Sequence, residues 1–227
     1  MVGKRDGSAD VVYGRRPVAE AQRGRRRVRR VWTTDDLPAG ELTRLAGSPD
    51  HQGIVAEVDP YPYADPRAVL DRPDALIVAL DQVQDPHNLG AVCRSAEAVG
   101  AAGLVIPTRR SASVTPVVCK ASAGAVEHLP VARVPNLADW LHAAKASGAW
   151  VYGAESGAET AYASADLTGK VVLVLGSEGG GLRRRVAESC DLLVSIPIRG
   201  RVESLNVSAA GAVLLFEAAR QRGGADA

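Results

Sequence analysis

The sequence predicts an α/β protein built on a mostly parallel sheet, and three observations carry that prediction. From residue 75 onward, short apolar runs alternate with stretches of helical pattern, the order of elements that lays helices over a parallel sheet. Each run is continuous and rich in β-branched residues, as a strand buried on both faces has to be. The chain has 227 residues and is 46% hydrophobic, which is enough to bury a sizeable core.

Taken in order, the opening MVGKRDGSAD has no apolar centre, and residues 1–10 read as a flexible tail. Residues 11–60 read as a small domain in which RRVRRVWTT and GIVAEV are short strands around a polar loop. Residues 61–74 carry Pro62, Pro66 and Pro73, each fixing its own φ and pushing its predecessor out of the helical region, so the stretch reads as a linker. The apolar runs that follow are ALIVAL, GLVIP, AWVYG, KVVLVLG and DLLVSIP. Between them lie LGAVCRSAEAVG, TPVVCKASAGA, NLADWLHAAKASG and LRRRVAESC. The third of these has clear bounds, with Asn136 to cap its start and Gly148 for a left-handed turn at its end. A last helix is expected over about 206–220, apolar through Ala209, Val213, Leu214 and Phe216.

Composition excludes several function classes. Aromatics are 4% with one Phe, which disfavours a sheet of stacking platforms for bases. Cys93, Cys119 and Cys190 are scattered without a CxxC pair, so neither a disulfide framework nor a zinc site is expected. His51, His128 and His142 lack ligand spacing, and no metal is expected. No apolar run approaches the ~20 residues of a membrane span, and the reading is a reduced, soluble, cytoplasmic protein. Lys and Arg total 27 against 26 Asp and Glu, yet the early chain is locally basic. Arg15, Arg16, Arg25, Arg26 and Arg27 stand out there as candidate ligands for RNA phosphate, with a solvated surface as the alternative.

Three segments could carry chemistry. LDQVQDPHNLGAVCRSAEAVG, residues 80–100, leaves a strand and enters a helix, with Asn88 as a possible cap and Arg94 less than two turns further on. VLGSEGGGLRRRV, residues 174–186, is a strand, a glycine-rich turn and a helix. It departs from the dinucleotide fingerprint because Glu178 stands where the second glycine is required, and a carboxylate there would repel a pyrophosphate. A ligand with a cationic centre would tolerate it. The third segment, SIPIRGRVESLNVSAAGAVLLFEAAR, residues 195–220, holds Arg199, Arg201, Glu203 and Ser204 in a polar loop before a long helix. Cys93 lies on an apolar helix face, and no Ser-His-Asp or Cys-His constellation is indicated.

Together the three blocks resemble the SPOUT superfamily, and within it the TrmH-like RNA ribose 2′-O-methyltransferases. The residues that carry the resemblance are Asp85-Pro86-His87-Asn88-Leu89-Gly90 with Arg94, Leu175-Gly176-Ser177-Glu178-Gly179, and Ile196-Pro197-Ile198 with Ser204-Leu205-Asn206-Val207-Ser208. It covers about residues 75–222. Val12-Tyr13-Gly14, Pro17-Val18-Ala19-Glu20-Ala21 and His51-Gln52-Gly53-Ile54 look like the substrate-binding domain of RlmB-type 23S rRNA guanosine methyltransferases, which resembles a ribosomal protein of the L30e type. Between Thr34 and Asp50 the chain is shorter than that domain's usual helix and strand need, so a trimmed or differently folded small domain is expected.

The resemblance implies a C-terminal trefoil knot, S-adenosyl-L-methionine as cofactor and a homodimer with the C-terminal helix at its interface. It places backbone around Gly176, Ile196 and Leu205 on the adenine, with Leu175, Gly179 and Ile198 beside them. Asn88, Glu178, Ser204 and Asn206 would surround the methyl donor and the ribose. It assigns Arg94 to the transfer step. A guanidinium is too basic to take a proton, so the chemistry favours Arg94 on a phosphate and on the developing alkoxide, ahead of His87 as a base. The substrate implied is RNA, 23S rRNA before tRNA. The rivals are a tRNA-directed enzyme of the same fold, an RNA-binding assembly factor without catalysis, and a Rossmann oxidoreductase, the last disfavoured by Glu178.

Overall fold

Two sheets account for the strands of the computed structural model, which describes residues 9–177 and 179–223. The first sheet is built from β1 (Asp10–Tyr13), α1 (Arg15–Arg23), β2 (Val28–Thr33), α2 (Ala39–Ala46) and β3 (Ile54–Val58). Its strand order is β1-β3-β2 and both pairings are antiparallel. Strand alternation divides its side chains, with Val12, Ala56 and Val58 facing the main core while Tyr13 and Val55 meet Leu42 and Ala46 of α2. The segment 34–50 therefore does hold a helix, two turns long, closed by Gly47 at φ 67°. Residues 1–8 of the expected tail lie outside the described residues, and Asp10 is already in β1.

The second sheet follows: β4 (Leu76–Leu80), α3 (Pro86–Ala98), β5 (Gly103–Pro107), α4 (Pro116–Ala121), β6 (Val131–Val134), α5 (Leu137–Ala146), β7 (Trp150–Ala154), β8 (Thr160–Ala161), β9 (Val171–Leu175), α6 (Arg184–Ser189), β10 (Leu192–Ser195) and α7 (Val207–Gly223). Its order is β6-β5-β4-β9-β7-β10-β8, and every pairing is parallel. The five continuous apolar runs are its inner strands. β6 and β8, which the sequence pattern does not mark, are its edges. β4 buries both faces: Leu76, Val78 and Leu80 point to the layer of α3, α4 and α7, and Ile77 and Ala79 to α5 and α6. α7 lies so close to β9 that a Cβ on Gly211 would meet Leu175 Cδ1 at 2.8 Å. Its Leu214 and Leu215 are buried there, each stabilising by about 1.5–3 kcal/mol.

The small sheet is fused to the large one. Residues 61–74 connect the two, but they are laid down on the sheet rather than hanging free. The Trp140 indole N–H donates to Pro66 O at 2.9 Å, and the Tyr61 hydroxyl sits 3.0 Å from the carbonyl oxygens of both Val126 and Leu129. Arg25, itself exposed, and Arg26 complete the junction, which corrects the expected role of Arg26 on RNA. The Arg26 side chain is 2% exposed, pairs with Glu127 and donates to Cys119 Sγ at 3.3 Å. Arg25 donates to the carbonyls of Leu129 at 2.7 Å and Glu127 at 3.3 Å. Losing one partner of the buried Arg26–Glu127 pair costs about 3–5 kcal/mol, so the Arg26 guanidinium serves stability. Arg15, Arg16 and Arg27 are exposed.

Candidate active site

At the carboxyl ends of β7, β9 and β10 lies a cavity of about 580 Å³, a volume suited to a small-molecule ligand. Four separate segments build it, one of them Ala154, Glu155 and Ser156 at the end of β7. Leu175, Gly176, Ser177, Gly179, Gly180 and Gly181 come from the turn after β9, Ile196 and Ile198 from the loop after β10, and Glu203, Ser204, Leu205 and Asn206 from the approach to α7. Of the sequence-predicted cofactor residues, Gly176, Ile196, Leu205, Leu175, Gly179 and Ile198 all line it, as do Ser204 and Asn206. Glu178 lies outside the described residues.

The glycine turn is shaped by contact rather than by looseness. A Cβ on Gly176 would collide with the Gly181 carbonyl. Ser177 and Gly181 exchange N–H···O bonds of 3.1 and 3.0 Å, closing the loop on itself, with Gly181 at φ 59°. The far end of the loop is clamped by Asp81, fully buried at the end of β4. Its carboxylate accepts from the Arg183 backbone N–H at 2.9 Å and from Arg183 Nε at 2.7 Å. Sequence reasoning missed Asp81 and Arg183; an acid at the carboxyl end of an otherwise apolar strand was the available signal.

Asn88 is not the cap of α3. Asp85 is, its Oδ1 accepting from His87 N–H at 2.8 Å, and Pro86 occupies the first helical position, where its missing N–H costs nothing. Asn88 sits one turn inside, buried, and its Oδ1 accepts from Asn206 Nδ2 at 3.0 Å. Asn206 in turn caps α7, its Oδ1 accepting from Ser208 N–H at 2.8 Å. One amide thus joins the first and third sequence blocks at the cavity rim. Arg94 is exposed, does not line this cavity, and has no hydrogen-bond or ion-pair partner among the described residues.

The electrostatics of the lining are one-sided. Glu155 and Glu203 line the cavity, and no Lys or Arg does among the described residues. Glu155, which sequence reasoning also missed, follows β7 and lies within 3.2 Å of where a Cβ on Gly181 would stand. No cysteine serves as a nucleophile: burial pushes the Cys119 and Cys190 thiols up to about 12, and Cys93 is fully buried with its thiol raised in the same way. No metal-ligating cluster occurs among the described residues, and no helix among them is long and apolar enough to cross a membrane.

Comparison with known proteins places this geometry. The model of the SpoU rRNA Methylase family matches residues 75–216. An uncharacterised tRNA/rRNA methyltransferase of Synechocystis is 40% identical over 94% of the chain, which spans 63% of that relative's length. The SpoU methyltransferase AviRb of Streptomyces viridochromogenes, crystallised with AdoMet, is 32% identical with a TM-score of 0.79, covering 97% of this chain and 94% of its own. A structure described as an RNA 2′-O ribose methyltransferase superposes with a TM-score of 0.78 at 26% identity, over 94% of this chain and 88% of its own.

Proposed function

This chain belongs to the SpoU rRNA methylase family, and from that premise we propose that it methylates a ribose 2′-hydroxyl of RNA with S-adenosyl-L-methionine as methyl donor. The observation that carries the reading is the convergence of four segments, distant in sequence, on one cavity lined by carboxylates and, among the described residues, without a cation. That lining fits a sulfonium ligand and opposes a polyphosphate one. The AdoMet held by the AviRb relative supports the cofactor, and the likeness to a ribose methyltransferase supports the oxygen acceptor.

The fit can be stated residue by residue. Gly176, Ile196 and Leu205 line the cavity, and their main-chain N–H and C=O groups would meet the adenine edge. Asn206, held by Asn88, orients polar groups of the donor at the rim. When bound, the cofactor supplies an electrophilic methyl group. Arg94 would then hold a phosphate beside the acceptor ribose and stabilise negative charge on its oxygen as the proton leaves. The knot expected of the family falls within the turn after β9, β10 and α7.

We read the RNA as ribosomal before tRNA, on the family's description, and as 23S guanosine on the resemblance of residues 11–60 to the RlmB-type substrate-binding domain. We also read the enzyme as a homodimer in which one protomer's Arg94 completes its partner's cavity. Two facts support the dimer: Arg94 stands off the cavity of its own chain, and Phe216, Val202 and Leu205 are exposed apolar groups on α7 and the loop before it. Leu214, expected at that interface, instead faces its own core. Transcribed 23S rRNA and tRNA, incubated with labelled donor and mapped for ribose methylation, test the function. Label on a base, or on neither RNA, rejects it. Light scattering that returns the 23.7 kDa mass of a single chain rejects the dimer.

A further inference from the structure

A second cleft, of about 550 Å³, opens at the carboxyl ends of β4, β5 and β6, on the opposite half of the same sheet edge. Its lining includes Arg109, Arg110, Arg183, Arg184 and Arg185 and, among the described residues, no Asp or Glu. In a chain with 27 basic and 26 acidic residues, five arginines in one cleft are a strong local excess. We propose that this cleft binds the phosphodiester backbone of the substrate RNA as a single strand, away from the reacting nucleotide. The inference rests on the RNA methyltransferase reading above.

Three observations carry it beyond a patch of surface charge. First, the arginines divide by job. Arg183 is committed to Asp81 and Arg184 to Glu188, whereas Arg109, Arg110 and Arg185 are exposed with no side-chain partner among the described residues. Guanidinium groups fork onto phosphate oxygens, so these three are the ligands on offer. Second, the walls are braced before any ligand arrives. Ala112 N–H donates to Val83 O at 2.9 Å, Thr108 N–H to Val134 O at 2.8 Å, and Arg133 Nη2 to Thr108 O at 3.2 Å, which ties the 108–112 loop to its neighbours on both sides. Third, Gln82 and Arg110 both hold positive φ, 60° and 56°, in a region that residues with a Cβ rarely adopt, and both line this cleft. Such conformations persist where the surroundings fix them, and they gather at functional sites.

The partner chemistry follows from what is missing. Among its described lining residues the cleft has no aromatic to serve as a stacking platform, and arginines outnumber its two amides, Gln82 and Asn136. Its excess of positive charge matches phosphate before it matches a base. The segment 176–186 lines the cofactor cavity with its first half and this cleft with its second, so a strand held here lies beside the reaction site.

The test uses the full chain with Arg109→Gln, Arg110→Gln and Arg185→Gln combined, and a short fluorescein-labelled single-stranded RNA as probe. Anisotropy titrations between about 50 and 200 mM KCl give affinity and salt slope. The triple variant is expected to bind about tenfold more weakly at low salt, with a slope shallower by about 2, from about 0.7 per single-strand phosphate contact. The three Arg→Lys changes should restore the slope, because it counts charge. Calorimetry with S-adenosylhomocysteine and the melting temperature should not move, which excludes a folding defect. An unchanged affinity and slope in the glutamine variant overturns the inference, as does a loss that lysine fails to restore. A wild-type protein whose RNA binding depends on these arginines, but which methylates neither rRNA nor tRNA, supports the cleft and rejects the enzymatic reading. Ribose methylation at full rate by the triple variant does the reverse.

Discussion

The two clefts along one sheet edge are alike in volume and opposite in the charge of their linings. Among the described residues, the cavity over β7, β9 and β10 is lined by glycines, aliphatic side chains and two carboxylates, whereas the cleft over β4, β5 and β6 is lined by five arginines. The strands beneath are alike, continuous and apolar, because parallel strands covered on both faces leave no room for chemistry in the sheet itself. The difference is made entirely in the loops at the strand ends, where ligands of open α/β sheets bind. A single loop, 176–186, separates the two, and Asp81 with Arg183 marks the border. The comparison teaches that cationic donor and anionic acceptor can be sorted by charge before any catalytic group acts.

The sharpest way to break the comparison is to disable one cleft alone. Gly176→Ala puts a methyl group into the Gly181 carbonyl, and backbone has to move to admit it. Affinity for S-adenosylhomocysteine should fall by about a hundredfold or more, the scale on which displacements of about 1 Å are felt. RNA affinity and its salt slope should stay as in the wild type. Calorimetry and anisotropy on the same preparation read both; a parallel loss of RNA binding would show that the clefts are not separate.

Arg94→Ala should lower methyl transfer by about two decades, as removal of an electrostatic stabiliser does, while S-adenosylhomocysteine binding is unmoved. Mixing this variant with Gly176→Ala adds a further reading. If Arg94 of one protomer serves its partner's cavity, mixed dimers regain activity that neither variant shows alone. No recovery on mixing places the arginine in its own subunit's site. Single-turnover methylation at the wild-type rate by Arg94→Ala removes it from the mechanism and brings His87 forward.

How much of this was legible in the sequence differs between the clefts. The cavity was legible in large part through the resemblance, which rests on short blocks that line it, glycines after a strand, Ile-Pro-Ile and Ser-Leu-Asn before a helix, while Glu155 after β7 lies in none of them. The arginine cleft was not, since it is assembled from 82, 107–110, 135–138 and 183–186. The densest basic run in the sequence misled for the same reason. Arg25 and Arg26 are adjacent to other arginines along the chain but face Glu127 and Leu129 across the fold. β6 escaped because Arg133 interrupts its apolar pattern, and only the fold shows that guanidinium lying 5.1 Å from the Tyr63 ring centroid. Asn88 was placed correctly on α3 but at the wrong station, since the Asp-Pro pair ahead of it already supplied the cap.

Asp81→Ala tests the border itself. It removes the acceptor for two donor groups of Arg183 in a buried setting, which costs about 1–3 kcal/mol. The guanidinium is half exposed and can turn to water, so the lower half of that range is expected in a urea titration. Both clefts should respond together, with weaker cofactor binding and a changed RNA salt slope, because the loop they share loses its clamp. A change confined to one of them would mean that the loop is held by the Ser177–Gly181 bridge alone.

The smallest expected effect isolates charge from shape in the cavity. Glu155→Gln keeps the size and hydrogen-bonding reach of the side chain and removes its negative charge. S-adenosylmethionine carries a sulfonium cation that S-adenosylhomocysteine lacks, while adenine, ribose and amino-acid portions are common to both. The ratio of their affinities therefore reports the field at the sulfur and cancels every contact that does not depend on charge. A carboxylate at the rim of an open cavity acts through partly aqueous surroundings and is screened by salt. The expected loss is about 1 kcal/mol, close to fivefold, for S-adenosylmethionine, with S-adenosylhomocysteine held within about twofold. Repeating the titration at high salt should shrink the difference. Equal losses for both ligands would mean that Glu155 acts through a hydrogen bond. No loss for either would leave Glu203 as the described carboxylate that gives the cavity its preference for a cation.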